Sequence, residues 1–235
     1  MTDECITIGD KKLYRIESLK DFAFIKKGDK GGFVESEENL SQVGSCWIYN
    51  DTKVCGNAWV FGDAKVYGNA QVYGNTKVYD NAQVYDNAKV FGDAQVYDNA
   101  KVYGNVWVYG DAKVCGDAMV YGNAQVCGNA EVFGNVHIKG DADISSISDY
   151  IFFKNWWSSG RCFTWTRSNN MWSVGCFYGT GEELIAKAYK DSEISGKEYE
   201  LVVKYVESIL KDGNTTTIVN KIKQRLIKII KKFNL

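Results

Sequence analysis

From Cys46 to Ser145 apolar and polar residues follow a six-residue unit, Ala-x-Val-Tyr-Gly-Asn. It stands nearly unaltered at Ala64-Lys65-Val66-Tyr67-Gly68-Asn69 and again at Ala70-Gln71-Val72-Tyr73-Gly74-Asn75. A branched aliphatic residue recurs at every sixth position from Ile48 to Ile144, which makes seventeen hexads without a slip. Within each hexad the aliphatic residue alternates with a small one two positions before it, so both face inward from a short strand and the residues between and after them face outward. The Gly-Asn, Gly-Asp or Asp-Asn pair that follows is a corner, because these residues tolerate the left-handed backbone region that a sharp turn needs. Strand, corner, strand, corner predicts a parallel β-helix.

The spacing resembles the hexapeptide repeat of left-handed β-helices, in which three hexads make one triangular coil of 18 residues. The resemblance implies a left-handed solenoid of nearly six coils, roughly 25–30 Å long at about 4.8 Å per coil. Sorting by 18 divides the outward residues after each aliphatic into three rows. One is an unbroken ladder, Tyr49, Tyr67, Tyr85, Tyr103 and Tyr121, ending at Lys139. Stacked aromatics on neighbouring strands stabilise a sheet by about 0.2–1 kcal/mol per pair. A stripe of tyrosines also suits a subunit or partner interface, so the ladder predicts either stiffening or binding.

The flanks do not repeat. Residues 1–45 are expected to form an N-terminal β cap, since a solenoid needs its open end covered. Cys5-Ile6-Thr7-Ile8 and Leu13-Tyr14-Arg15-Ile16 flank a turn at Gly9-Asp10 and predict a hairpin. Trp47 and Trp59 stand where later hexads carry mostly Lys or Gln, which predicts that both are covered. Residues 46–145 form the solenoid. Residues 146–212 predict a small α+β domain: three meander strands at 150–153, 161–167 and 171–178, then two helices with capping boxes at Thr180/Glu183 and Ser195/Glu198. Residues 213–235 predict an amphipathic, basic helical tail, with apolar residues from Ile218 to Phe233 at helical spacing.

Composition narrows the function classes. There is no run of about 18 apolar residues and the N-terminus is acidic, so neither a membrane span nor export is expected and the compartment is read as cytoplasmic. The seven cysteines contain no Cys-x-x-Cys pair and read as reduced, small apolar residues with no metal site. The net charge of −1 hides an asymmetry: the tail holds Lys221, Lys223, Arg225, Lys228, Lys231 and Lys232 and is +6, leaving −7 elsewhere. The tail is read as core of its domain, as an oligomer or partner contact, or as a contact to nucleic acid or an anionic surface.

No catalytic residue stands out. His137 is the sole histidine, and the hexads carry no inserted loop to hold an acyl carrier, which argues against the acyltransferase chemistry of other hexapeptide proteins. Asp63, Asp93, Asp111 and Asp117 read as corner residues, and Gly179-Thr180-Gly181 lacks the lysine of a phosphate-binding loop. No cofactor is implied. Trp156, Trp157, Arg161, Trp165, Arg167 and Trp172 form an Arg/Trp-rich cluster, read either as a domain core or as a surface that stacks on bases or grips a protein.

Two flanking motifs carry a further resemblance. Lys27-Gly28-Asp29-Lys30-Gly31-Gly32-Phe33-Val34-Glu35-Ser36 with Asn39-Leu40-Ser41, and Phe163-Thr164-Trp165-Thr166-Arg167 with Gly175-Cys176-Phe177-Tyr178-Gly179-Thr180-Gly181-Glu182-Glu183-Leu184, are similar to prophage-encoded hexapeptide-repeat ("polymer-forming") phage proteins. The basic tail departs from that pattern. The resemblance implies a non-enzymatic accessory protein that binds a protein partner, such as an anti-CRISPR inhibitor of an RNA-guided nuclease of the type VI, RNA-targeting kind. It also leaves room for a virion or tail component, for self-association, and for a binder that sequesters a nucleotide immune signal.

Overall fold

A computed structural model describes residues 1–155 and 160–211. By compactness the chain divides into two units, Met1–Tyr178 and Gly179–Leu235.

In the first unit, β1 (Cys5–Ile8) and β2 (Lys11–Glu17) pair antiparallel about the expected Gly9-Asp10 turn. β3 (Lys30–Val34) pairs antiparallel with β2 on one side and parallel with Lys53–Val54 on the other, so the cap hairpin extends a solenoid sheet. After a 3-10 turn at Glu37–Asn39, β4 (Leu40–Gly44) pairs parallel with Trp59–Gly62. Seventeen short strands follow, β5 to β21, one per hexad from Trp47–Ile48 to Asp143–Ile144. Among these seventeen strands every partner lies 18 residues away, as in Lys77 opposite Gln95 and Val78 opposite Val96. The chain is therefore a β-solenoid of about six turns with three parallel sheets.

The interior is the alternation made physical. Val60 to Val132 and Ala64 to Ala130 are fully buried, each stacked on its equivalent 18 residues on, and each buried valine adds about 1.5–3 kcal/mol. Thr52 and Thr76 stand in alanine positions because their hydroxyls reach backbone carbonyls, Gly68 at 3.4 Å and Tyr73 at 2.8 Å. The first residue of each corner pair adopts positive φ at sixteen successive sites from Asn50 to Gly140. At Gly92 (φ +77°) a Cβ would meet the Gly110 backbone nitrogen at 2.9 Å, so both the torsion and the coil above demand glycine. The second residue of the pair bonds along the axis. Asn69 donates to Asn87 (3.3 Å), Asn87 to Asn105 (3.1 Å), Asn105 to Asn123 (3.1 Å) and Asn123 to Asp141 (3.0 Å). An amide both donates and accepts and so repeats; a carboxylate only accepts and ends the run. Asp93 and Asp117 end the other two ladders.

Past the last coil, β22 (Tyr150–Lys154), β23 (Cys162–Thr166), β24 (Met171–Val174) and β25 (Phe177–Gly179) form an antiparallel sheet. The third expected run is two strands, because Gly175, at φ +56°, reverses the chain inside it. This sheet lies on the last coil: the His137 N–H donates to Thr164 Oγ1 (3.2 Å), the Tyr150 hydroxyl to the Glu131 carbonyl (2.8 Å), and the Tyr178 hydroxyl to the Lys139 carbonyl (3.2 Å).

The second unit holds α1 (Gly181–Asp191) and α2 (Glu193–Lys211). The Thr180/Glu183 capping box forms. The second does not: α2 begins two residues before Ser195, and Ser192 accepts from the Ser195 N–H (3.0 Å), because a one-residue link leaves no room for a later start. Gly196 lets the Tyr189 ring lie against α2, where its hydroxyl donates to Glu200 (2.8 Å). Leu184, Ala188, Tyr199, Val203 and Val206 are buried. The basic tail, 213–235, lies outside the described residues.

Candidate functional site

The tyrosine ladder is assembled as the 18-residue sorting requires. Tyr67, Tyr85, Tyr103 and Tyr121 stack with centroids 4.6, 4.7 and 5.0 Å apart and planes within 4° of parallel. Tyr49 meets Tyr67 edge-on at 6.3 Å, and His137 meets Tyr121 edge-on at 6.4 Å, with Lys139 Nζ 5.4 Å from the Tyr121 centroid. Tyr85 and Tyr103 thus have a stacked ring on both faces. Outward, the half-buried row presents ring edges and hydroxyls, as in Tyr67, which donates to Gln83 Oε1 at 3.3 Å. Burial raises the phenol pKa along the row, at Tyr85 to about 12. Aromatic stacking is not confined to this face, since Phe61–Tyr79–Tyr97 and Tyr73–Phe91–Tyr109 repeat it on the other two.

The described members of the Arg/Trp cluster divide between core and surface. Trp165 and Trp172 are cross-strand partners in the β23–β24 ladder and only 2% exposed each, so they are core rather than a stacking surface. Trp165 Nε1 is used up in a 2.9 Å bond to Asn170, and Trp172 meets Phe163 edge-on at 6.5 Å. Arg161 and Arg167 are exposed, and Trp156, Trp157 and the tail cations Lys221, Lys223, Arg225, Lys228, Lys231 and Lys232 lie outside the described residues. Of the two early tryptophans, Trp47 is covered, packed edge-on by Phe22 at 5.7 Å. Trp59 is not: it stands out from the wall, stacked on Phe61 at 4.0 Å, because the cap strand β4 begins opposite Val60 and pairs only with residues beyond Trp59.

Sequence reasoning sent Trp107 and Phe133 outward without singling them out as site residues, and it missed the exposed apolar residues Leu19, Phe24 and Val43 at the N-terminal end. The break in the Lys/Gln row at Trp107, flanked in its column by Lys89 and Gln125, was a usable signal; Lys89 Nζ sits 5.2 Å from that indole.

Burial, then Lys139, lowers the His137 pKa and favours the neutral ring. Burial pushes the Cys46 thiol up to about 11 and raises Cys55, so both are poor nucleophiles at neutral pH. Among the described residues no three His, Cys, Asp or Glu side chains converge to hold a metal ion, and no helix is long and apolar enough to cross a membrane.

A family model described as "YdcK Beta solenoid repeat" matches residues 94–110 and 112–126, within the central coils. The chain is a repeat β-solenoid protein. No curated protein matches it.

Proposed function

We propose that this solenoid is a non-enzymatic accessory protein of a phage or prophage that acts by binding a host protein, as an anti-CRISPR inhibitor of an RNA-guided nuclease of the RNA-targeting, type VI kind. One observation carries the binding part: the loop-free wall leaves aromatic side chains exposed, Trp107 beside Lys89 on one sheet and Trp59 and Phe133 on another, each 42–48% exposed. Rigid aromatics of this kind are enriched at protein interfaces and lose little entropy on binding. The two flanking motifs shared with prophage-encoded hexapeptide-repeat proteins support the phage part. The test is co-purification of the tagged full chain with a panel of defence effectors. Retention of an RNA-guided nuclease and loss of its cleavage activity supports the reading, as does a drop of ten-fold or more in affinity for Trp107→Ala. Recovery in phage particles with no effector bound would favour a virion component instead.

A further inference from the structure

Two of the three solenoid sheets run out at the N-terminal end. One stops at β4 and one at β5, whereas the third continues through β3, β2 and β1. Beside these two edges lies a cavity of about 420 Å³, lined by Ile16, Phe22, Val34, Leu40, Cys46 and Trp47 among others. Two lips border it. The first is the loop from Ser18 to Lys30, on which Leu19 is 83% and Phe24 88% exposed; the second is the Glu37–Asn39 turn with β4, on which Val43 is 79% exposed.

The lips are oppositely charged. Lys20, Lys26 and Lys27 against Asp21 and Asp29 leave the loop before β3 at +1, with Lys30 at the start of β3 paired to Glu4 at 3.1 Å, and Glu37 and Glu38 make the turn and β4 −2. Asp21 is held within its own lip, by Lys26 Nζ at 3.2 Å and the Lys27 N–H at 2.9 Å. A surface whose two halves carry charge of opposite sign is complementary to itself after a half-turn, which is the requirement of an isologous interface. Stacking this end on the far end of another copy is not open in the same way, because the antiparallel sheet β22–β25 already lies across the last coil.

We propose that this mouth is the interface of a two-fold dimer, in which each copy lays its lysine-bearing loop over the Glu37/Glu38 lip of the other. Leu19, Phe24 and Val43 then leave water together, and the open edges of β4 and β5 are shielded from other strands. The interface stands independently of the inhibitor reading, which uses the wall.

Sedimentation velocity on the full chain tests it. The wild type is expected at twice the 26.4 kDa of one chain. Leu19→Asp with Phe24→Asp is expected at the single-chain mass with unchanged circular dichroism, because both side chains are exposed. Lys20→Glu with Lys27→Glu, and separately Glu37→Lys with Glu38→Lys, are each expected as single chains, and mixing the two in equal amounts restores the double mass. A wild type at the single-chain mass, a dimer indifferent to both aspartates, or a mixture that stays single would each overturn the proposal.

Discussion

The two ends of the solenoid are closed by the same local device and then treated differently. At the N-terminal end Asn39, at the close of a 3-10 turn, accepts from the Glu35 and Ser36 N–H groups and donates to the Gly56 and Ala58 carbonyls. At the other end Asp149, also closing a 3-10 turn, accepts from both the backbone and the hydroxyl of Ser145 and of Ser146. Beyond Asp149 a sheet with a buried aromatic core lies on the last coil. Beyond Asn39 a cavity stays open and apolar side chains stay in water. A repeat satisfies its interior by translation, Val on Val and amide on amide, but translation cannot terminate itself. Non-repeating sequence does that work, and where it stops short of full coverage a surface is left for something else.

The sharpest break of this comparison is in the middle. Val96→Asp places a charge where the wild-type residue is fully buried and ringed by apolar neighbours, and it is expected to cost more than about 4 kcal/mol, read as loss of the cooperative thermal transition. The ends come next. Asn39→Ala strands the Gly56 and Ala58 carbonyls in a buried place and should cost about 2–4 kcal/mol in urea unfolding; Asp149→Ala, whose partners are more exposed serines, should cost about 1–2 kcal/mol. Equal losses would mean that the two turns do equal work.

Smaller effects separate crowding from torsion. Gly92→Ala meets both a positive φ and the coil above and is expected to lose about 2–3 kcal/mol. Gly9→Ala, at φ +61° with nothing within 4 Å, should lose only about 1 kcal/mol. The mildest test is titration. Tyr85 is raised from 10 to about 12, so it contributes stability that is fully present below about pH 10 and is lost as pH rises through about 12. Asp149 runs the other way: burial pushes its carboxyl up, but the hydrogen bonds from Ser145 and Ser146 outweigh that and hold it below its ordinary value. Its contribution is present above that ordinary value and lost as pH falls through the folded one. Absorbance titration of the tyrosines and acid unfolding of Asp149→Asn against wild type check the two signs.

Much of the fold was legible because it is local. Ala64-x-Val66 buries as a two-residue alternation says it must, and Gly68-Asn69 turns as those residues allow. The Thr180/Glu183 box was readable for the same reason. The Ser195/Glu198 box failed because Ser192 offered an equally good cap three residues earlier, a competition that only geometry settles. The Arg/Trp cluster could be read as core or surface from composition alone, and the structure divides its described members, with Trp165 and Trp172 paired in the core and Arg161 and Arg167 exposed. Leu19, Phe24 and Val43 were unreadable as a set, since they come from a loop and a strand about twenty residues apart and nothing periodic marks which of Phe22 and Phe24 turns inward.

By itself the sequence determined the coil: its 18-residue register, its valine and alanine interior, its glycine corners and its stacked tyrosines, all of which follow from contacts between residues at a constant spacing. Only the tertiary structure decided what the ends do and what the wall leaves exposed. Those outcomes depend on which non-repeating segments meet in space, and no spacing along the chain records that.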